Sequence, residues 1–365
     1  MEKLDSYYAV IMAGGGGTRL WPLSRRKTPK QMVKIIGDET LFQISVNRLR
    51  GLFHSEKIFV VTIADQVKML QSQAPDIPNE NFLIEPFPKG TASVVGYAAT
   101  YLQKKDSDAV LAILTADHFI QNVEEFHQLL IAGYLAAKEN FLVTLGIQPT
   151  HAATGYGYIH KGEPVKSFNG KWGFIVNKFL EKPDEEKAKL IFSSGGYDWN
   201  SGMFIWNVDA ILREFDRQMP GLKKNLDLLK DSLEHGNFEE KLPEIWADII
   251  PQTIDYGIME HAENVIVLPV AELGWFDVGS WDSLFDVIEQ DDHGNINLAR
   301  KFLGLDTKNS LVYSNVEDRY IVTVGLENII LVESGNAILV CDRKKSQDIK
   351  NVVKFLTDKK FDDYF

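Results

Sequence analysis

Four consecutive glycines, Gly14 to Gly17, close an apolar run that ends in Met12 and Ala13, and Thr18, Arg19 and Lys30 follow soon after. A backbone bare of side chains can bring its N–H groups close to a ligand, which suits phosphate. The loop is not a P-loop, because Thr18, Arg19 and Leu20 follow Gly17 where Lys and then Ser or Thr are needed. Nor is it a dinucleotide fingerprint: the position of the third glycine holds Arg19 counted from Gly14 and Leu20 counted from Gly15. A plain tight turn is the other reading of the glycine string. Arg19 can grip phosphate oxygens in bidentate fashion, and Lys30, fixed after Pro29, supplies a second charge to offset a phosphoryl-transfer transition state. From Thr18 to Ile36 the chain carries Arg19, Arg25, Arg26, Lys27, Lys30 and Lys34 and no acidic residue, so a small anion could sit there. Arg25, Arg26 and Lys27 read equally well as solvated surface charges.

Asp117 in TADH, at the end of an apolar strand where it would face the ligand crevice, and Asp277 in GWFDVGSW, in a Gly- and Trp-punctuated loop, are the candidate metal carboxylates. Together with phosphate oxygens and waters they would satisfy octahedral Mg²⁺, whereas either alone reads as a turn or helix cap. The histidines lack metal-ligand spacing, and His118 is expected to orient its loop. TGYGYI sets Gly155 and Gly157 around Tyr156, a shape that can meet a sugar or simply form a β-bulge. In FLEKP, Glu181 can accept from sugar hydroxyls and Lys182, ahead of Pro183, can hold a sugar phosphate; bare, the two would pass for an exposed ion pair. Tyr256, Trp275 and Trp281 could shape a pocket but read more readily as core aromatics.

The elements that must position these residues follow from periodicity. Tyr8 to Met12, Ile58 to Thr62, Val110 to Thr115 and Phe141 to Gly146 read as strands, with helices over Leu41 to Leu52, Ser93 to Lys104 and Val123 to Glu139. That alternation predicts an α/β fold: a Rossmann-like, mostly parallel mixed sheet flanked by helices, with ligands at the carboxyl ends of its strands. After Phe174 the pattern loosens; Leu222 to His235 and Phe238 to Trp246 read as helices and Val265 to Val270 as a strand. Beyond Asp291, Leu311 to Tyr313, Tyr320 to Val324, Ile329 to Val332 and Ala337 to Val340 predict a small β-helical domain. A final helix is expected over Ser346 to Asp358, capped by Ser346. The expected domains are residues 1–290 and 291–365.

A chain of 365 residues, 45% hydrophobic, can bury a core of that extent. Its net charge of −12 argues against polymeric nucleic acid and anionic lipid as partners. Cys341 is the single cysteine and rules out an internal disulfide or a cysteine metal cluster. The opening apolar run is too short for a signal peptide or a membrane span, so a cytoplasmic protein is expected.

GGGGTRLWPLSRRKTPKQ resembles the signature of mannose-1-phosphate guanylyltransferases of the nucleotidyltransferase superfamily, and TADH, TGYGYI, FLEKP, NSGMF, IDYGIME and DVGSW follow in that family's order. The resemblance covers nearly the whole chain and implies a nucleotide-diphospho-sugar transferase fold that makes GDP-mannose and pyrophosphate from GTP and mannose 1-phosphate with Mg²⁺. It implies catalytic roles for Arg19, Lys30, Asp117, Lys182 and Asp277, with Asp117 and Asp277 holding the metal. Nucleotide contacts fall to Ala13, Gly14, Gly15, Gly16, Gly17, Thr18, Arg19, Lys30, Glu85, Thr91, Ala92 and Asp117, and sugar-phosphate contacts to Gly157, Glu181, Lys182 and Asn200. EPFPKGTASV departs from the family pattern, with Gly90 in place of an asparagine and Ser93 in place of a proline, so base selectivity is less secure than reaction type. The tail resembles that of the single-function bacterial enzymes and implies a monofunctional homodimer; Ile329, Ile330 and Leu331 could serve the interface or the core. Two other readings stand beside this one: a nucleotidyltransferase with another sugar or base, and a non-catalytic homologue that senses sugar nucleotides. An NAD-dependent oxidoreductase is disfavoured by the missing third glycine.

Overall fold

The computed structural model describes residues 4–365; residues 1–3, part of the expected 1–290 domain, lie outside the described residues. The chain packs as two compact units, one running up to Gly14 and continuing through Val46–Thr115 and Ile120–Gly274, the other made of Gly15–Ser45, Ala116–Phe119 and Trp275–Phe365. Gly15–Ser45 and Ala116–Phe119 thus pack with the C-terminal segment.

The strands are β1 (Tyr7–Met12), β2 (Ile58–Ile63), β3 (Phe82–Glu85), β4 (Val110–Thr115), β5 (His118–Ile120), β6 (Leu142–Ile147), β7 (Tyr158–Phe168), β8 (Lys171–Leu180), β9 (Tyr197–Asn207), β10 (Val265–Val270), β11 (Trp275–Asp277), β12 (Ile296–Leu298), β13 (Phe302–Leu305), β14 (Leu311–Ser314), β15 (Ile321–Val324), β16 (Ile329–Ser334) and β17 (Ala337–Asp342). The helices are α1 (Leu41–Asn47), α2 (Ala64–Gln73), α3 (Thr91–Lys105), α4 (Val123–Lys138), α5 (Glu185–Ser194), α6 (Val208–Gln218), α7 (Pro220–His235), α8 (Phe238–Ala247) and α9 (Ile349–Asp358).

In the first unit nine strands form one sheet in the order β3-β2-β1-β4-β9-β6-β10-β8-β7. YYAVIM in β1 and VLAILT in β4 are continuous apolar runs because a parallel sheet covered on both faces leaves no side of a strand for water. β9 runs antiparallel to both β4 and β6, which makes the sheet mixed. The sheet core continues into helices α3, α6, α7 and α8 through Val95, Leu102, Ile211, Phe215, Leu226 and Trp246. The helix expected to reach Leu52 stops at Asn47, where the bonds Leu49 N to Val46 O and Arg50 N to Asn47 O tighten the chain into turns.

In the second unit β12, β14 and β16 stack in parallel, β17 adds antiparallel, and β13 pairs in parallel with β15. Leu311 opposes Ile330 and Phe302 opposes Ile321, nineteen residues apart in each case, so one coil supplies one strand to each of two faces. Asn309 (φ 50°) and Asn328 (φ 55°) turn equivalent corners in the left-handed region, which asparagine tolerates better than most residues. Ile330 and Val332 point into the core with Leu20, Trp21 and Trp281, so Ile330 is internal, while Ile329 and Leu331 are half-buried. Arg25, read from sequence as an anion ligand or a surface charge, instead donates to the carbonyls of Pro22, Ser334 and Asp363 and ties the segment after the glycine loop to the tail. The final helix also differs: Asp342 caps a 3-10 turn over Arg343–Asp348, α9 starts at Ile349, and Ser346 is buried. Among the described residues no helix is long and apolar enough to cross a membrane.

Trp281 is fully buried, its indole N–H donates to Trp21 O at 3.0 Å, and its ring lies 5.5 Å from that of Tyr313. Trp281→Ala is expected to destabilise this unit by about 3–5 kcal/mol, measured by urea unfolding, because the cavity is flanked by other rigid rings that cannot collapse into it.

Candidate active site

Asp117 lies two residues past β4, and Asp277 ends β11. Lys30 Nζ lies 2.7 Å from Asp117 Oδ2 and 3.5 Å from Asp277 Oδ1, and also donates to Val278 O at 3.4 Å. Burial pulls the Lys30 ammonium down, but the two carboxylates outweigh it and the net shift is upward. Burial likewise pushes Asp117 up, and the neighbouring Lys30 and His118 reverse that, holding it well below the usual carboxylate range.

His118 is oriented rather than free. The Trp275 indole can only donate, and it reaches His118 Nδ1 at 3.1 Å, so the neutral ring carries its proton on Nε2, 3.9 Å from Asp117 Oδ1. Lys30 owes its position to Gly17: at φ 47° this residue takes a left-handed turn, and a Cβ there would lie 2.5 Å from Lys30 Cγ. Gly15 and Gly16 have nothing within 4 Å of where a Cβ would be, and Gly15 O accepts from Gln31 Nε2. Thr18 and Arg19 are exposed, and the Arg19 guanidinium donates to Gln347 Oε1 at 3.3 Å. The donor set here is two carboxylates converging on one cation. Two carboxylates supply oxygen donors of the kind a hard divalent ion takes, with phosphate oxygens and water to complete its shell.

In the first unit, Glu85 lies against Gly14, where a Cβ would approach its Oε1 to 2.5 Å. Glu85 is 2% exposed and its Oε2 has no hydrogen-bond partner. Burial raises its pKa to about 7, against the lowering pull of the Lys89 N–H. The loop after Glu85 is stapled to the segment before β10: Lys89 Nζ donates to Ala247 O and Ile249 O, and Gln252 N to Lys89 O. Gly90 has φ 86°, and a Cβ there would collide with Gln252 O, so the asparagine of the family pattern would not fit this backbone. Thr91 Oγ1 accepts from Ile254 N, the buried Ala92 donates its N–H to Gln252 O, and Ala13 N–H goes to Val61 O.

The four residues expected on the sugar phosphate come together in the same unit. Asn200 N donates to Gly157 O at 2.8 Å, and a Cβ on Gly157 would lie 2.7 Å from Glu181 Oε2. Lys182 Nζ contacts Glu181 Oε1 at 2.6 Å and sits at φ 35°, a strained backbone for a residue with a side chain. Sequence reasoning missed Asp255, which accepts from Asn200 Nδ2 at 2.7 Å and interacts with both Glu181 and Lys182. Burial, and secondarily the Glu181 charge, raises its pKa. Only the aspartate within IDYGIME marked it, and that reading went to Tyr256, which proves to be exposed.

Residues 8–294 match the nucleotidyl transferase family and residues 300–356 the MannoseP isomerase/GMP-like beta-helix domain. A mannose-1-phosphate guanylyltransferase of Klebsiella pneumoniae is 32% identical over 97% of this chain and 75% of its own length. Mannose-1-phosphate guanylyltransferase 2 of Escherichia coli O157:H7 is 35% identical over 95% of this chain and 73% of its own length. A crystal structure described as mannose-1-phosphate geranyltransferase of Thermus thermophilus superposes with a TM-score of 0.86 at 32% identity, covering 96% of this chain and 99% of its own.

The raised pKa of Glu85 carries a signed prediction. A carboxyl moved from 4.5 to about 7 by burial contributes stability below pH 4.5 and loses it as pH rises through 7, on the order of 3 kcal/mol in all. Between pH 5 and 8 the melting temperature of the wild type is therefore expected to fall relative to that of Glu85→Gln. Parallel pH profiles would refute the shift.

Proposed function

The chain belongs to the nucleotidyl transferase family, and we propose that it transfers GMP from GTP to α-D-mannose 1-phosphate, giving GDP-mannose and pyrophosphate. The observation that carries this reading is the convergence of Lys30 on Asp117 and Asp277 beside an open glycine loop. A sugar-phosphate oxygen attacks the α-phosphorus of GTP, the new P–O bond forms as the bond to the β-phosphate bridging oxygen breaks, and pyrophosphate leaves. No enzyme nucleophile or proton transfer is needed, so the protein's work is positioning and charge neutralisation.

Lys30 and Arg19 take the triphosphate with the N–H groups of the glycine loop, Gly14 to Thr18. Asp117 and Asp277 would hold Mg²⁺, which supplies charge neutralisation at the phosphates. Glu85 reads the base: guanine presents N1–H and N2–H₂ side by side, and a carboxylate with an unengaged oxygen accepts from both. Adenine offers no such pair, so the choice of GTP rests on Glu85 rather than on the asparagine that Gly90 replaces. Glu181 and Asn200 meet the sugar hydroxyls and Lys182 the sugar phosphate, with Gly157 making room for Glu181. The same reading takes the chain to be cytoplasmic and homodimeric. It draws support from Leu303, Leu305, Val322 and Val324, an exposed apolar row on the paired strands β13 and β15.

Pyrophosphate release is measured across GTP, ATP, UTP and dTTP crossed with mannose, glucose and fucose 1-phosphates, with Mg²⁺ or EDTA. Release from GTP with mannose 1-phosphate, abolished by EDTA, is expected. Release from another pair moves the reading to a related nucleotidyltransferase, and none from any pair moves it to the sensing homologue. Asp277→Asn is expected to lower kcat by about a hundredfold or more while leaving the unfolding midpoint within error, because it removes a charge from the part-exposed end of β11. Undiminished Mg²⁺-dependent turnover would remove Asp277 from the metal.

A further inference from the structure

The Asn200 side chain has two hydrogen-bond partners in the structure. Its Oδ1 accepts from Gly202 N at 3.0 Å, and its Nδ2 donates to Asp255 Oδ1 at 2.7 Å. A backbone N–H can only donate, so the amide oxygen must face Gly202 and the NH₂ must face Asp255. One Nδ2 proton is left over. Gly202 N sets which end of the amide is the oxygen, and Asp255 at the other end holds the NH₂, so that the remaining proton keeps one direction.

Asp255 is itself held on both sides. It opens a single π-helical turn, Asp255–Met259, an irregularity that is uncommon outside functional sites. Ile254 N, immediately before it, donates to Thr91 Oγ1 at 2.9 Å at the start of α3, and Gly257 N, two residues after it, donates to Thr253 O.

We infer that Asp255 is a positioning residue of the sugar site: it locks the Asn200 carboxamide so that its remaining N–H is offered as a donor, while Glu181 beside it offers only acceptors. The inference rests on the reading of Asn200 as a sugar contact. A hydroxylated ring then meets one fixed donor and one fixed acceptor within a single group of side chains, a pattern that selects one arrangement of adjacent hydroxyls.

Steady-state kinetics of Asn200→Ala, Asp255→Ala, Asp255→Asn and the Asn200→Ala/Asp255→Ala double variant, with the melting temperature of each, test it. Asp255→Ala is expected to raise KM for mannose 1-phosphate about tenfold or more and leave KM for GTP within about twofold. Asp255→Asn, whose amide oxygen can still accept from Asn200 Nδ2, is expected to recover most of that loss even if Asp255→Ala folds poorly. The double variant is expected to be no worse than Asn200→Ala alone, since both changes remove the same contact. If Asn200→Ala raises KM for the sugar phosphate but Asp255→Ala does not, or if the two effects add, the positioning role is overturned and the sugar-site reading survives. If Asn200→Ala leaves that KM unchanged, the sugar-site reading fails and the inference with it.

Discussion

Asp117 and Asp277 repel one another unless a cation lies between them, and the Lys30 ammonium occupies that place at 2.7 and 3.5 Å. Lys30, Asp117 and Asp277 come from three separate segments, and all three segments belong to the same compact unit. The two carboxylates and the lysine therefore exist as a centre only once that unit has folded. A lysine paired in this way is a strongly held charge, and it keeps the Asp117 carboxylate ionised beside it. A buried cation of this kind adds little to stability by itself, because losing water offsets the gain from pairing. Its value lies in fixing geometry.

Sterics decide how close the lysine comes. Gly17 takes a left-handed turn and leaves the space that a Cβ would fill against Lys30, so the glycine loop and the PKQ segment close on each other. Gly14 does the equivalent for Glu85 in the other unit. Two of the four glycines thus serve the packing of a charged neighbour, and Gly15 and Gly16 leave backbone open. Gly90 follows the same logic: its positive φ and the approach of Gln252 leave no room for the asparagine of the pattern that this stretch resembles, and the loop is held by Lys89 and Thr91 instead.

The residues proposed for the sugar phosphate obey a different constraint. Gly157, Glu181 and Asn200 lie on or beside β7, β8 and β9, long strands that pair with one another, so backbone hydrogen bonds such as Asn200 N to Gly157 O place the side chains. Asp255 arrives from a π-helical turn far along the chain and joins them through Asn200. Each of these residues restrains its neighbour, which leaves little rotamer freedom to lose on binding.

By itself the sequence determined the chemistry and the local periods. The glycine loop, the cations Arg19 and Lys30, the acids Asp117 and Asp277 and the EKP pair were legible because residue type states what a group can do. The buried strands β1, β2, β4, β6 and β10 and the β-helical repeats were legible because hydrophobic period reports burial. Only the tertiary structure decided what depends on distant partners. Strands β7 and β8 are half-buried with shifted register and β9 is bulged against β6, so their alternation is blurred. Arg25 looked like an anion ligand until three carbonyls of its own unit claimed it. Ser346 looked like a cap until Asp342 took that role. Asp255 lay inside the IDYGIME motif without a legible role, since its meaning lies in its contact with Asn200, and a hydrogen bond across 55 residues leaves no trace in local pattern.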